Sequence, residues 1–203
     1  MFIDYLGLML ANMVAGLLLL CFFYLKGIVG SDGRPWAAGF AATGVVALAC
    51  GLHMSWTWPL PGSYNVAFGE MASLFGAAYL AVAAALVVRR AEGGPVAAVL
   101  LPVGVYTFVA GLAAILVGVC IARLRLTNAP VLSAVGFGLA GLGGVLLPVV
   151  ARWSRARALR IAAALVVLAA AVLWAAVTYK AFVGHMERFQ KYSPPVPQQP
   201  SDG

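Results

Sequence analysis

The chain consists of long apolar segments that alternate with short polar connections. Six segments each approach the roughly 20 apolar residues, at about 1.5 Å rise per residue, that a helix needs to cross a bilayer. The pattern therefore predicts an all-α integral membrane bundle of six transmembrane helices, with residues 1–187 as the transmembrane domain and the proline-rich residues 188–203 as a mobile tail. The predicted segments are residues 3–25, 36–53, 67–88, 96–122, 131–150 and 161–183.

Composition supports a membrane location. Of the 203 residues, 64% are apolar and 9% are charged, whereas a soluble domain has about 25% charged residues. The net charge of +7 does not indicate a nucleic-acid partner, because the cations lie between apolar segments rather than in a patch with stacking aromatic residues. The lipid bilayer is the expected partner, together with another membrane protein or a second copy of the chain.

The distribution of lysine and arginine predicts the orientation. The connections after the first, third and fifth segments carry eight of these residues, and the opposite side carries five. Cations accumulate on the cytoplasmic side, so we expect both termini to lie outside a prokaryotic inner membrane. The eight are Lys26, Arg34, Arg89, Arg90, Arg152, Arg155, Arg157 and Arg160, and the five are Arg123, Arg125, Lys180, Arg188 and Lys191.

Glycines within the segments suggest close helix contacts and an internal repeat. Small residues let helix backbones approach each other in lipid. An offset of 67 residues suggests that helices 2 and 3 are a parallel duplicate of helices 4 and 5, as in several membrane folds. The matched pairs are Pro35 with Pro102, Gly44 with Gly111, Gly51 with Gly118, Gly69 with Gly136 and Gly76 with Gly143.

The connection between helices 2 and 3 is unusual in composition. The stretch GLHMSWTWPLPGSYNVAFGE contains two tryptophans, a Pro-Leu-Pro-Gly turn, a histidine and a carboxylate, and it has no lysine or arginine. Trp56, Trp58, Pro59 and Pro61 predict a rigid docking surface that faces away from the cytosol. An aromatic belt at the membrane interface explains the same tryptophans without a partner.

Glu70 is the strongest candidate for an ion or ligand site. It lies about 7–9 Å into helix 3 at 1.5 Å per residue, where an ionisable group is costly and usually faces the bundle interior or a water-filled cavity. Alternatively, it is an interfacial carboxylate held by Arg123 or Trp56. Asn12 either lines such a site or makes an interhelical hydrogen bond. The candidate set for this site is Glu70, His53, Arg123, Asn12, Asp4, Tyr64 and Asn65.

Two histidines and a cysteine are predicted near the same membrane surface. His53, His185 and Cys120 could hold haem or copper, although the sequence has no histidine pair at helical spacing and no Cys-x-x-Cys-His motif. Hydrogen-bonded interfacial histidines are the alternative interpretation. No catalytic residue is predicted, because the phosphate-binding glycine loop, the nucleophile elbow and the His-Glu-x-x-His motif are all missing from the sequence.

Three stretches together resemble a family of short prokaryotic multi-span membrane proteins of unknown function. They are FIDYLGLMLANMVAGL at the start, GLHMSWTWPLPGSYNVAFGEMASLFG, and VLSAVGFGLAGLGG. The resemblance extends to about residue 150 and implies a compact helical membrane protein. It implies no activity, cofactor or catalytic residue.

Three functional hypotheses follow from these observations. The leading one is a non-catalytic subunit or binding protein of a membrane complex, with the Trp/Pro connection as its recognition surface. The first alternative is a transporter or channel for a proton, cation or small solute that uses Glu70. The second is a redox membrane protein that binds haem, copper or quinone near His53 and His185.

Overall fold

A computed structural model describes residues 5–30, 32–92 and 96–190. Within these ranges the chain forms six helices and no β-strand. They are α1 (Tyr5–Phe22, continued by a π-helical turn, Phe23–Gly27), α2 (Arg34–Thr57), α3 (Met71–Glu92, preceded by a π-helical turn, Asn65–Glu70), α4 (Val96–Leu124), α5 (Pro130–Arg152) and α6 (Arg157–Gln190).

Each of the six helices is long and apolar enough to cross a membrane. Their most apolar windows have mean hydropathies between 1.6 and 2.5. The prediction of an all-α bundle with six potential spans is therefore confirmed. Helix α2 continues to Thr57, so that Trp56 lies on the helix and the connection to α3 begins at Trp58.

The helices form three antiparallel pairs that close into a ring. Helix α2 pairs with α3, α4 with α5, and α1 with α6, while smaller contacts join α1 to α2, α3 to α4 and α5 to α6. The end that carries the connections 58–64 and 125–129 is called the Trp end. The opposite end, which carries 28–33 and 153–156, is called the Arg end.

Glycines bring the backbones of the α2–α3 and α4–α5 pairs together in the same way. A Cβ placed on most of the glycines at the crossings would meet backbone atoms of the partner helix, namely at Gly44, Gly51, Gly76, Gly111, Gly118 and Gly141. The residues that match are related by 67 positions between α2 and α4, and by 65 positions between α3 and α5. At the first crossing, Gly44 of α2 faces Gly76 and Leu80, and its equivalent Gly111 of α4 faces Gly141 and Val145. At the second crossing, Gly51 faces Gly69 and Ser73, and its equivalent Gly118 faces Ala134 and Gly138.

These contacts correct part of the predicted repeat. The offset of 67 holds for α2 and α4, but Gly76 matches Gly141 rather than Gly143, and Gly69 matches Ala134 rather than Gly136. The difference arises because the connection 125–129 is two residues shorter than the connection 58–64. Both connections begin with a left-handed residue, at Trp58 (φ 47°) and Arg125 (φ 51°).

Two predictions fall at the edges of the described chain. Asp4 and residues 191–203 lie outside the described residues, so the place of Asp4 in the candidate ion or ligand site and the predicted mobile tail stay predictions. Helix α6 continues to Gln190, three residues beyond the predicted domain boundary at residue 187.

Gly141→Ala tests the glycine contact between α4 and α5. Its Cβ would meet the backbone of Gly111 and Ile115, and we expect the free energy of unfolding in detergent to fall by about 1–3 kcal/mol, as is typical of overpacking. Circular dichroism during titration with a denaturing detergent measures this change.

The matched control for this contact is Gly138→Ala on the same helix. No atom lies within 4 Å of a Cβ at Gly138, and alanine favours a helix over glycine by about 1 kcal/mol. We therefore expect unchanged or higher stability for the control. Equal losses at both positions would contradict the assigned helix contact.

Candidate functional site

An elongated cavity of about 70 Å³ lies between the helices. One wall follows α1 from Met9 to Leu20, and another runs from Phe68 in the π-helical turn before α3 to Val82 in α3. Further side chains come from α2, α4 and α5. At 1.5 Å per residue these wall segments are about 16 and 21 Å long. The cavity is therefore a narrow slot that runs parallel to the helices, and we call it the chamber.

The wall of the chamber is almost entirely apolar. The described lining residues include no charged side chain, and its polar ones are Asn12, Tyr79 and Thr107. The Asn12 side chain donates to the Thr43 carbonyl oxygen at 2.9 Å, and the Thr107 hydroxyl donates to the Gly104 carbonyl oxygen at 3.1 Å. Asn12 thus makes an interhelical hydrogen bond from α1 to α2, one of the two interpretations its sequence context suggested.

Aromatic rings lie at the Trp end of the chamber. Phe68 and Phe137 line it, with ring centroids 5.4 Å apart. Trp174 of α6 is fully buried behind them, 5.3 Å from Phe137 and 6.2 Å from Phe68. Tyr64 stacks on Phe68 from the side of the connection at 6.0 Å. We call these four residues the outer aromatic layer.

A second set of rings lies at the Arg end. Phe40 and Tyr79 line the chamber with centroids 5.4 Å apart, and Phe23 contacts Phe40 at 5.2 Å. Trp36 contacts Phe23 at 5.6 Å. The chamber therefore has aromatic rings at both of its ends, and none of its described lining residues is fully exposed.

Asn65 shapes the connection between α2 and α3. It is fully buried, its Oδ1 accepts from the Leu60 amide at 3.0 Å, and its Nδ2 donates to the carbonyl oxygens of Leu60 and Gly62. These three bonds direct the side chain into its own connection rather than toward a ligand. An asparagine a few residues after Pro-Leu-Pro-Gly is a signal of such a turn.

The two tryptophans of the predicted docking surface are exposed. The exposed fractions are 78% for Trp56 and 51% for Trp58, and Pro59 and Pro61 are also exposed. Trp58 ends α2 in a left-handed conformation, with its amide bonded to the Met54 carbonyl oxygen. Such a conformation is strained for a bulky residue and is often found at functional positions. Docking of a partner at this surface stays a prediction.

Glu70 does not belong to the chamber. It is exposed and does not line the chamber, and its equivalent in the second hairpin is Val135, an exposed apolar residue. Arg123 is exposed as well, and no ion pair joins it to Glu70 among the described side chains. An ion site at Glu70 stays a prediction, and it would be separate from the chamber.

The candidate metal ligands do not form a three-residue group. The Thr57 hydroxyl lies 3.1 Å from His53 Nδ1, and His185 and Cys120 are half-buried. Within the described residues, no three His, Cys, Asp or Glu side chains are close enough to hold a metal ion. Haem or copper binding at these residues therefore stays a prediction.

Apart from Asn12, the residues that line the chamber do not stand out in the sequence. Phe68, Phe137 and Tyr79 were not singled out, because aromatic residues inside an apolar segment are equally expected in contact with lipid. Tyr79 and Phe137 have one detectable signal, which is that they lie inside helices, whereas the belt tryptophans lie near helix ends.

These features define an all-α bundle whose six helices are long and apolar enough to span a membrane and enclose an apolar chamber. The profile of a protein family of unknown function, DUF981, matches residues 1–188, and the chain belongs to this family. The match extends beyond the resemblance noted up to residue 150. Searches of curated proteins and of solved structures gave no match.

Asn65→Ala tests how the connection is held. It removes three hydrogen bonds from a buried position, and we expect the free energy of unfolding to fall by about 1–3 kcal/mol. Hydrogen exchange of residues 58–64 should become faster than in the unchanged protein.

Ser63→Ala is the control for this prediction, since the Ser63 hydroxyl makes no hydrogen bond to the described part of the chain. It should leave the exchange of residues 58–64 unchanged. If Asn65→Ala behaves like this control, the assigned role of Asn65 is wrong.

Proposed function

We propose that the protein is a non-catalytic membrane protein that binds an apolar molecule in the chamber between its helices. The observation that carries this proposal is a cavity between the helices with an almost entirely apolar wall. Apolar cavities inside proteins exclude water and accept apolar ligands of matching shape. A bilayer also supplies such molecules at high concentration around the protein.

The character of the wall favours binding over passage of a hydrated solute. A path for ions or small polar molecules needs oxygen atoms or charged side chains that replace water. The described lining offers no charge, and the hydrogen-bonding donors of Asn12 and Thr107 are engaged with backbone carbonyl oxygens. The transporter and redox hypotheses therefore have less support than a binding protein.

We further propose that the Trp end faces away from the cytosol of a prokaryotic inner membrane. Its support is the excess of lysine and arginine at the Arg end, which is the pattern of cytoplasmic connections. The exposed Trp56 and Trp58 would then lie at the outer interface, where tryptophan is enriched.

Ala78→Leu tests whether the chamber is occupied. Ala78 is buried and lines the chamber, so the longer side chain should fill part of it. We expect the unchanged protein to carry an apolar molecule through purification and Ala78→Leu to carry less. Solvent extraction followed by mass spectrometry measures the amount per protein chain.

Ala84→Leu is the matched control on the same helix, because Ala84 is exposed. It should carry as much of the molecule as the unchanged protein. The proposal fails if the unchanged protein carries no apolar molecule, or if Ala78→Leu retains it in full.

Cysteine labelling of intact cells tests the orientation. After replacement of Cys21, Cys50 and Cys120 by alanine, Pro61→Cys and Arg155→Cys introduce exposed thiols at the Trp end and the Arg end. An impermeant maleimide should label position 61 and reach position 155 only after lysis. Labelling of position 155 and not of position 61 in intact cells would show that the Arg end faces outward and would contradict the proposed orientation.

A further inference from the structure

We propose that the chamber is closed at the Arg end and takes up a single-chain amphiphile through the Trp end. The apolar chain would point toward the Arg end, and the polar head would stay at the surface of the Trp end. This inference rests on the proposed function and adds the class of ligand and its direction.

Dense side-chain packing closes the Arg end. Eight of the twelve largest fully buried side chains lie there. The Tyr24 hydroxyl donates to the Gly143 carbonyl oxygen at 2.6 Å, and an Arg160 guanidinium nitrogen donates to the Leu25 carbonyl oxygen at 2.7 Å. The eight residues are Phe23, Tyr24, Ile28, Phe40, Leu86, Val96, Leu100 and Val150.

The Trp end is closed by the outer aromatic layer, which is held differently. Its members meet through ring contacts, and Tyr64 at its edge is half-buried. The indole N–H of Trp174 is buried without a hydrogen-bond partner among the described residues. Phe68 belongs to the π-helical turn Asn65–Glu70. The Arg end also has a π-helical turn, Phe23–Gly27, but there the side chain of Tyr24 is anchored by its hydrogen bond to Gly143. A movement of the Phe68 ring would break no side-chain hydrogen bond.

The dimensions of the chamber fit a ligand with a single alkyl chain. Its walls extend over about 16–21 Å, close to the depth of one leaflet, which is half of a hydrocarbon core about 30 Å thick. The space open to the centre of a water-sized sphere is about 70 Å³. Over this length it corresponds to a bore about 5 Å wide once the sphere's own radius of about 1.4 Å is added, which is wide enough for one alkyl chain and too narrow for two. Because no charged side chain lines the described wall, a charged head group would be left unpaired inside, and it therefore stays at the surface.

Quenching of tryptophan fluorescence measures the direction in which the bound alkyl chain points. In a variant with Trp36, Trp56, Trp58 and Trp153 changed to phenylalanine, Trp174 is the single tryptophan and reports from the Trp end. The probes are two stearic acids with a nitroxide near the carboxyl group or near the methyl end. We expect the carboxyl-proximal nitroxide to cause the larger saturable loss of Trp174 fluorescence.

A matched variant that keeps Trp36 alone reports from the Arg end, since Trp36 contacts Phe23 there. We expect the methyl-proximal nitroxide to quench Trp36 more strongly. Unlabelled stearic acid should abolish the saturable loss in both variants, and a diacyl phospholipid should not. If the single-tryptophan variants do not fold, fatty acids with a diazirine near the carboxyl group or near the methyl end are crosslinked to the unchanged protein. We expect the carboxyl-proximal diazirine to label residues of the Trp end and the methyl-proximal one to label residues of the Arg end.

The outcomes separate the two proposals. The reverse ranking at both tryptophans overturns the direction of uptake and leaves the binding function standing. Equal competition by the diacyl phospholipid overturns the single-chain class. The absence of any saturable quenching or crosslinking overturns both this inference and the proposed function.

Discussion

Close approach of helix backbones at glycines is the contact on which the rest of this bundle depends. In hydrocarbon, apolar side chains gain nothing by leaving the solvent, so helices associate through close packing and a few hydrogen bonds. The α2–α3 and α4–α5 pairs obtain this packing at the same crossing points, with Gly44 and Gly51 in one pair and Gly111 and Gly118 in the other. The most extensive helix contacts therefore lie within these two pairs, and smaller contacts close the ring.

The chamber follows from this division of contacts. Some of the side chains outside the pair contacts point toward the middle of the ring, where small residues such as Ala78 and Ala140 leave space. Large aromatic rings fill both ends of the bundle around this space. The wall contains few polar groups. A polar side chain among apolar atoms needs a partner, and Asn12 finds one in the Thr43 carbonyl oxygen.

The sequence was sufficient for the helices and insufficient for the site. Helix number follows from segment length and apolar content, which are local properties. The order of helices in the ring and the chamber depend on contacts between distant segments, such as Phe68 with Phe137, that periodicity does not contain. Glu70 is a strong candidate in the sequence because charge is rare in this chain, but the direction of its side chain depends on the rotation of α3. The predicted repeat is displaced by two positions in α5, because the connection before α5 is two residues shorter than the one before α3.

The length of α6 has a consequence for the C-terminal side of the molecule. Its 34 residues extend over about 51 Å, whereas the hydrocarbon core of a bilayer is about 30 Å thick. Since Arg157 begins the helix at the Arg end, a bilayer around the bundle would leave the surplus beyond the Trp end as a short stalk. A fusion domain or an affinity tag attached after this stalk would stand clear of the lipid head groups and would be reachable without disturbing the bundle.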